Sequence, residues 1–415
     1  MKKHRIRPTL IPALAAALIV VLAACGGGAA QQGEGGAVES EAEESAAGQI
    51  KVAELDTAPN VKSIEKFRAA SANMPDLPEP TIAPVPDGVD PNRKWELTFN
   101  DHLGSDTQQG LNEQQLFEHI KARTNGQVVI TPHFNATLLD TGNIFAGVAQ
   151  GIADISVYNV DMNPGAQVAH VVFNLPQTME TPKNYDMSRI YRKFVNTHPV
   201  FEEENLAKGV TWISTYACPI NSFHSTGGDI RTPGDLNGRK VIANARLTEY
   251  LKAGGASGLV MGPGEWYTSL QKGVANTQIG HWAVIDDMKL LELYKSNTML
   301  GSEYGGVSVL LQGWIVNAEV WDSIPEAYRA VIVEEFDWAG DAASIYNDDF
   351  YPIMVKQAED AGQNVIMLTG DELDPFYELS RAAAEAWYDE AKANGFADGA
   401  SLHEELSKAI ADRDM

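Results

Sequence analysis

The chain has 415 residues, a formal net charge of −25 and only two cysteines. Its length predicts two or three domains with a substantial packed core, and a hydrophobic content of 44% excludes general disorder. The acidic balance disfavours nucleic acid as the main partner, because phosphate groups would be repelled. Two cysteines are too few for a disulfide-rich scaffold or a multi-cysteine zinc site.

The N-terminus has the pattern of a secretory signal. Residues 1–7 are basic, and residues 10–24 are almost wholly apolar but too short to predict a membrane-spanning helix. The sequence Leu-Ala-Ala-Cys at 22–25 matches a bacterial lipobox, in which small residues precede a lipidated cysteine. We therefore expect residues 1–24 to be a lipoprotein signal peptide and Cys25 to anchor the protein outside the cytoplasmic membrane. An ordinary signal peptide with an incidental cysteine is the alternative.

The composition of residues 25–92 predicts a tether. Residues 26–48 are rich in Gly, Ala, Gln, Ser and Glu, which is typical of flexible linkers, and residues 61–73 are compatible with one short helix. Six prolines between positions 75 and 91 favour extended chain over any packed element. We predict a spacer that ends where a folded body begins, near residue 93, although simple disorder would serve the same purpose.

From residue 95 onward, strands and helices alternate at short spacing. The predicted strands are 95–99, 128–132, 155–157, 208–215 and 258–261. The predicted helices are 111–123, 142–150, 246–254, 264–273, 319–349, 350–362 and 372–394. This order favours an α/β fold with a parallel or mixed sheet, and the sequence contains no visible repeat.

The sequence carries no signature of a catalytic or cofactor site. Metalloprotease, phosphate-loop, nucleophile-elbow and dinucleotide-binding motifs are all absent from it, and its nine histidines have no metal-ligand spacing. If Cys25 is lipidated, Cys218 remains alone and is expected to be a small buried hydrophobic residue rather than a nucleophile. We therefore predict a binding protein that has no catalytic residue, no metal and no cofactor.

Several segments together resemble the solute-binding proteins of TRAP transporters, of the dicarboxylate-binding, DctP type. The fullest match is RTPGDLNGRKV at 231–241, which resembles the family's turn-and-strand motif tPaDlkGlki. Further matches keep the family's order and spacing from about 95 to 390. They are TNGQV at 124–128, GVAQGIAD at 147–154, YLKAGGA at 250–256, MGPGEWYTSLQKGV at 261–274 and WDSIP at 321–325.

This resemblance implies an α/β, two-domain fold like that of periplasmic binding proteins, with a central cleft, crossing strands and a long helix. One lobe would comprise roughly 93–217 plus part of 305–345, and the other roughly 218–304 plus the C-terminal helices. The resemblance also implies a protein of the periplasm or the outer face of the cell membrane. It would capture a small organic solute, close over it and deliver it to the membrane subunits of a TRAP permease.

The chain departs from the family at the usual ligand clamp, an arginine that binds a carboxylate through a planar bidentate pair. Ile242 stands at the position of this arginine, and a second arginine found in many members is missing from residues 218–221. The asparagine of the family motif vDGqeNp falls on Gly280. The resemblance therefore predicts that the standard carboxylate site is dismantled.

The residues that we predict to line the cleft are mainly aromatic or neutral and polar. They are His102, Tyr158, Asn159, Asn244, Arg246, Trp266, Tyr267, His281 and Trp282. Two ligand hypotheses follow. An organic acid would be held by Arg246 or by backbone amides. A neutral or cationic solute would instead stack on Trp282 and Tyr158, and a cation would also gain from the acidic field.

Other functions on the same fold stay open. The chain could be a ligand-sensing lipoprotein, a scaffold that has lost transport, or an enzyme built around the cleft. A sensor requires an attached signalling domain, and an enzyme requires a nucleophile or a metal constellation. The sequence gives no sign of either.

Overall fold

A computed structural model describes residues 70–75, 81–163, 165–301 and 304–415. The predicted signal peptide, Cys25 and most of the predicted tether lie outside these ranges, so those assignments stay predictions. Among the described residues, no helix combines the length and the apolar character needed to span a membrane.

Eleven strands alternate with helices in the described ranges. The strands are β1 (Trp95–Asn100), β2 (Val128–His133), β3 (Ile155–Asn159), β4 (Val210–Ala217), β5 (Ser222–Ser225), β6 (Lys240–Ile242), β7 (Ser257–Leu259), β8 (Thr277–Gly280), β9 (Ser296–Leu300), β10 (Leu311–Asn317) and β11 (Asn364–Leu368). The helices are α1 (Gln108–Arg123), α2 (Ile144–Ala149), α3 (Asn184–Thr197), α4 (Pro199–Leu206), α5 (Thr248–Ala253), α6 (Pro263–Gln271), α7 (Trp282–Asp287), α8 (Ala318–Ser323), α9 (Glu326–Asp360), α10 (Asp374–Ala393) and α11 (Gly399–Asp412).

The strands form two sheets, and each sheet is the centre of one lobe. The first lobe has the order β2-β1-β3-β10-β4, in which β1 is parallel to β2 and β3, while β10 is antiparallel to β3 and β4. The second lobe has the order β11-β9-β5-β8-β6-β7, with β5 antiparallel to both of its neighbours. Every residue of β10 is buried, as expected for a strand covered on both faces. The predicted mixed α/β arrangement is confirmed.

The chain passes between the lobes four times, and the last passage runs from α10, which packs against α5 of the second lobe, to α11, which packs against α3 of the first. The chain leaves the first sheet after β4 through residues 218–221, and it returns between β9 and β10. These two crossing segments are hydrogen-bonded to each other, since Asn221 N donates to the Ser308 carbonyl at 3.0 Å and Val307 N donates to the Asn221 carbonyl at 2.7 Å. Helix α9 makes the third crossing, because it packs against β4 and α3 in the first lobe and against α7 and β11 in the second.

The C-terminal helices differ from the prediction in three ways. The helix predicted at 319–349 is divided, because α8 ends at Ser323 and α9 begins at Glu326 after Pro325. The predicted break near residue 350 does not occur, because α9 runs through Pro352 as one helix whose neighbouring Phe350 and Tyr351 are buried. Helix α11 was not predicted. It contacts α3 of the first lobe, whereas the sequence assigned the C-terminal helices to the second lobe.

Part of the segment that was predicted to be a spacer lies against the folded body. Ala83 N donates to the Arg123 carbonyl at 2.8 Å, and the side chain of Asn125 donates to the Ala83 carbonyl at 2.7 Å. Further upstream, Met74 is buried at 5% exposure. The chain therefore contacts the body before residue 93, the predicted start of the folded part.

Candidate functional site

A cavity of about 390 Å³ lies between the two lobes, at the ends of strands from both. The first lobe contributes Asn159, the last residue of β3, and Gln312 of β10. The second lobe contributes Ile242 from the end of β6 and Gly280 from the end of β8. Ligands of open α/β sheets bind at this edge of a sheet, so the cavity is the candidate solute site.

The charge of the cavity wall is acidic. In the part of the chain that the structure describes, no lysine or arginine lines the cavity. Its carboxylates are Asp161 in the first lobe and Asp287 at the end of α7 in the second. Most of the other polar lining groups are side-chain amides, namely Gln108, Gln109, Asn159, Asn221, Asn244, Gln312 and Asn347.

His281 is a neutral donor in the wall. It is the N-terminal cap of α7, and its Nδ1 accepts a hydrogen bond from Val284 N at 3.2 Å. Burial, and secondarily the nearby His224, lowers the pKa of His281 to about 3. The ring is therefore neutral at pH 7 and carries its proton on Nε2, which remains able to donate a hydrogen bond.

Asp161 follows β3 in a short 3-10 turn. The turn is fixed by Asn159, whose side-chain oxygen accepts a hydrogen bond from Asp161 N at 3.0 Å. Both carboxylate oxygens of Asp161 are shielded from solvent, and the amide of Asn174 approaches them without completing a hydrogen bond. Burial raises the pKa of Asp161 to about 6, while Asn174 and the charge of Arg246 oppose the rise. The negative charge of Asp161 is thus only partly compensated by the protein.

A hydrogen-bonded network fixes the polar wall of the first lobe. Gln109 donates from Nε2 to Asp101 Oδ2 at 2.9 Å, and its Oε1 accepts from Gln312 Nε2 at 2.9 Å. Gln312 Nε2 also donates to Tyr216 Oη at 2.6 Å. Gln109, Gln312 and Tyr216 all line the cavity, so their side chains are held in place before any solute arrives.

A buried pair of carboxyl groups lies behind this wall. Burial and the charge of Asp101 raise the pKa of Glu113 well above its usual range, although Trp314 Nε1 donates to Glu113 Oε1 at 3.0 Å. Burial acts to raise the pKa of Asp101 as well, but contacts with His102, Leu103 N and Gln109 bring it below the usual value. The negative charge of the pair therefore lies preferentially on Asp101, since two adjacent carboxylates do not both ionise at low cost.

The cavity brings together five of the residues that the sequence predicted to line it. These are His102, Asn159, Asn244, Trp266 and His281. Trp266 is held by a hydrogen bond from Nε1 to the Met261 carbonyl at 3.0 Å.

The other four predicted residues lie outside the cavity. Tyr158 is fully buried in the core, with its ring centroid 5.7 Å from that of Trp212. Trp282 is 3% exposed and packs edge-on against His224, with their centroids 4.6 Å apart. Tyr267 Oη donates to Glu292 Oε1 at 2.6 Å.

Arg246, the fourth of these residues, is engaged elsewhere. Its Nη1 lies 2.5 Å from Glu390 Oε2, in an ion pair between the turn that precedes α5 and helix α10. Arg246 does not line the cavity, but its charge acts to lower the pKa of Asp161, which does. The arginine therefore does not present its donors to a solute in this conformation.

Sequence reasoning missed Asp161, Gln109, Gln312 and Tyr216. Asp161 was detectable in principle, because it follows β3 by two residues in the region expected to bind ligand. Gln312 is a polar residue within the apolar run of β10, which is another signal of a special environment. Cys218 does line the cavity, but burial raises the pKa of its thiol to about 12, so it is not a nucleophile at neutral pH.

Solved structures share this fold. A TRAP solute-binding protein from a marine metagenome, specific for aromatic acid ligands and crystallised with 3-hydroxybenzoate, is 21% identical, with a TM-score of 0.69 over 78% of this chain and 100% of that chain. A TRAP periplasmic solute-binding protein from Desulfovibrio salexigens with bound orotic acid is 22% identical, with a TM-score of 0.67 over 76% of this chain and 100% of that chain. At these identities the likeness shows the fold, and it confirms the predicted two-lobed architecture.

Sequence comparison identifies the family. An uncharacterised Salmonella typhimurium protein, YiiZ, is 25% identical over 164 residues, which is 38% of this chain and 48% of that protein. The match thus spans about half the length of this curated relative. The family described as bacterial extracellular solute-binding protein, family 7, matches residues 99–391, which is well over half of the chain. The chain belongs to this family of extracellular solute-binding proteins, and the predicted resemblance is confirmed.

Proposed function

We propose that the protein captures a small organic solute in the cavity between its lobes and delivers it, chemically unchanged, to the membrane subunits of a TRAP-type secondary transporter. The observation that carries the proposal is the cavity itself, about 390 Å³ in volume and lined by polar groups of both lobes. A site divided between two lobes is complete only when the lobes are closed. Solute binding therefore favours the closed form, which the permease can distinguish from the open one.

The solute is expected to contact His102, Asn159, Asn244, Trp266 and His281, which line the cavity. The amides and imidazoles offer both donors and acceptors to a polar solute, and Trp266 offers an apolar face. Closure would shield these contacts from water and strengthen them.

The experiment that tests solute capture is identification of a co-purified compound. The full chain is purified without a refolding step, and native and denaturing mass spectrometry are compared. We expect one small molecule at close to one equivalent, released on denaturation, and the double variant N244A/W266A should carry much less of it. A protein that carries no compound, and that binds none in calorimetry, would contradict the proposal.

We also propose that Cys25 carries the lipid anchor and holds the protein on the outer side of the cytoplasmic membrane. The sequence at 22–25 supports this, and the several acyl chains of a lipoprotein suffice for stable attachment. The full chain should fractionate with membranes and gain the mass of the lipid, whereas C25S should be released in soluble form. Membrane retention of C25S would contradict the proposed anchor.

A further inference from the structure

We infer that the solute carries a positively charged amine, which the carboxylates of Asp161 and Asp287 stabilise from the two lobes. This inference rests on the proposed function and names the chemical class of the solute for the same cavity. It differs from the organic acids that the similar solved proteins contain.

The first argument is the sign of the charge in the wall. Two carboxylates line the cavity, and no lysine or arginine does so among the described residues. Ile242 lies in the wall at 2% exposure, at the position where the resemblance places an arginine. A carboxylate solute would lose its hydration on closure and receive no cationic partner from this wall.

The second argument is the incomplete compensation of Asp161. Its oxygens are shielded from water and complete no hydrogen bond within the described part of the chain. The nearby cation, Arg246, is already paired with Glu390 at 2.5 Å, so these three side chains together keep a net negative charge. Because water does not stabilise this charge, a solute that supplies the opposite charge is favoured.

The third argument is the aromatic and amide lining around the carboxylates. Trp266 and Tyr216 line the cavity, and an ammonium group gains from the faces of such rings. Asn244 and Gln312 supply amide oxygens that accept hydrogen bonds from an amine. An amine thus finds acceptors, aromatic faces and negative charge in one enclosed space.

The test uses matched triples in which one scaffold carries an ammonium, a hydroxymethyl or a carboxylate group, beginning with benzylamine, benzyl alcohol and benzoate. Calorimetry on the wild-type protein should show amines binding at least about tenfold more tightly than the matched carboxylates. D161N and D287N should each weaken amine binding and leave the alcohol nearly unchanged. D360N is the matched control, because Asp360 is an exposed residue of α9 that does not line the cavity.

R246Q separates this inference from the organic-acid hypothesis. Removing the guanidinium leaves Asp161 less compensated, so amine binding should persist or become tighter. Tight carboxylate binding that is lost in R246Q would overturn the inference while leaving solute capture intact. Amine binding that is equal in wild type and D161N would overturn it as well. Failure of every triple to bind would count against both the inference and the proposed function.

Discussion

Burial raises the pKa of Asp161 to about 6, while Asn174 and Arg246 act to lower it. The neighbouring Tyr158 stays neutral, because burial and the charges of Asp161 and Glu204 raise its pKa. His281 has its pKa lowered to about 3 and does not titrate near neutrality. Asp161 is therefore ionised for most of the time at pH 7 and becomes protonated when the pH falls through 6.

Amine affinity should consequently fall as the pH is lowered. A carboxyl group with a pKa near 6 is about one-tenth ionised at pH 5, so the association constant of benzylamine should drop roughly tenfold between pH 8 and pH 5. D161N should give a flatter profile in the same calorimetric series. H102Q is measured in the same series as a second variant of the cavity wall, because His102 also lines the cavity. An affinity that rises towards pH 5 would contradict the role of Asp161.

Ile242 offers the opposite experiment, in which a cation is added to the wall. I242R places a guanidinium at the end of β6, where it can form a bidentate pair with a carboxylate. We expect benzoate to bind at least about tenfold more tightly than in wild type, and benzylamine to bind more weakly. I242M, which conserves volume and charge, should change neither affinity appreciably. Unchanged benzoate binding in a folded I242R protein would show that this position does not face the solute.

Pairs of neighbouring residues explain why the site was only partly predictable. Tyr158 and Asn159 are consecutive on β3, so one side chain faces the core and the other the cavity. Trp266 and Tyr267 are about 100° apart on α6, and only Trp266 reaches the cavity. The predicted segments do contribute residues to the cavity wall, but the choice between adjacent residues depends on how each element is rotated against its lobe.

At the scale of elements, helix α3 depends on α9 for its N-terminal cap. No side chain of the preceding residues caps α3, and Asp348 of α9 does so instead. Asp348 Oδ1 accepts from Asn184 N at 2.7 Å, and Oδ2 accepts from Tyr185 N at 3.0 Å. A carboxylate at a helix N-terminus also interacts favourably with the helix dipole. The long helix therefore holds α3 in place as well as joining the lobes.

Removing this cap should destabilise the first lobe. D348A leaves one buried and one partly buried amide group without acceptors, so we expect a loss of about 2 kcal/mol in the free energy of unfolding, measured in urea. D360A is the control on the same helix, because Asp360 forms only an exposed pair with Lys356 and should cost less than about 0.5 kcal/mol. Equal losses in the two variants would argue against the capping role.

The same helices show where prediction from local sequence succeeds and fails. The strand predicted at 95–99 and the helix predicted at 264–273 were correct, because alternation and helical periodicity are local signals. The break predicted near Pro352 was wrong, since packing of α9 against both lobes outweighs the local effect of proline. The local sequence also could not predict that residues 81–92 attach to the folded body, because this attachment uses contacts with distant residues such as Arg123.

At the scale of the whole molecule, binding and closure both involve the segments that cross between the lobes. Gly306 lies in one of them, against Asn221 and Ile220 in the other. A Cβ atom at position 306 would lie 2.3 Å from the Asn221 carbonyl oxygen and 2.3 Å from Ile220 Cγ2. No residue that carries a Cβ atom allows the two segments to approach this closely without displacement.

G306A should therefore force the crossing segments apart. We expect it to lower the free energy of unfolding by about 1–3 kcal/mol, the usual cost of overpacking. It should also reduce the decrease in radius of gyration that a bound solute produces in wild type, measured by small-angle X-ray scattering. The control is G264A, because nothing lies within 4 Å of a Cβ atom at that position in α6. If G306A closes on its solute as fully as wild type and G264A do, the close approach at Gly306 serves stability alone. The motion would then lie elsewhere, with α9 and the passage from α10 to α11 as the remaining connections between the lobes.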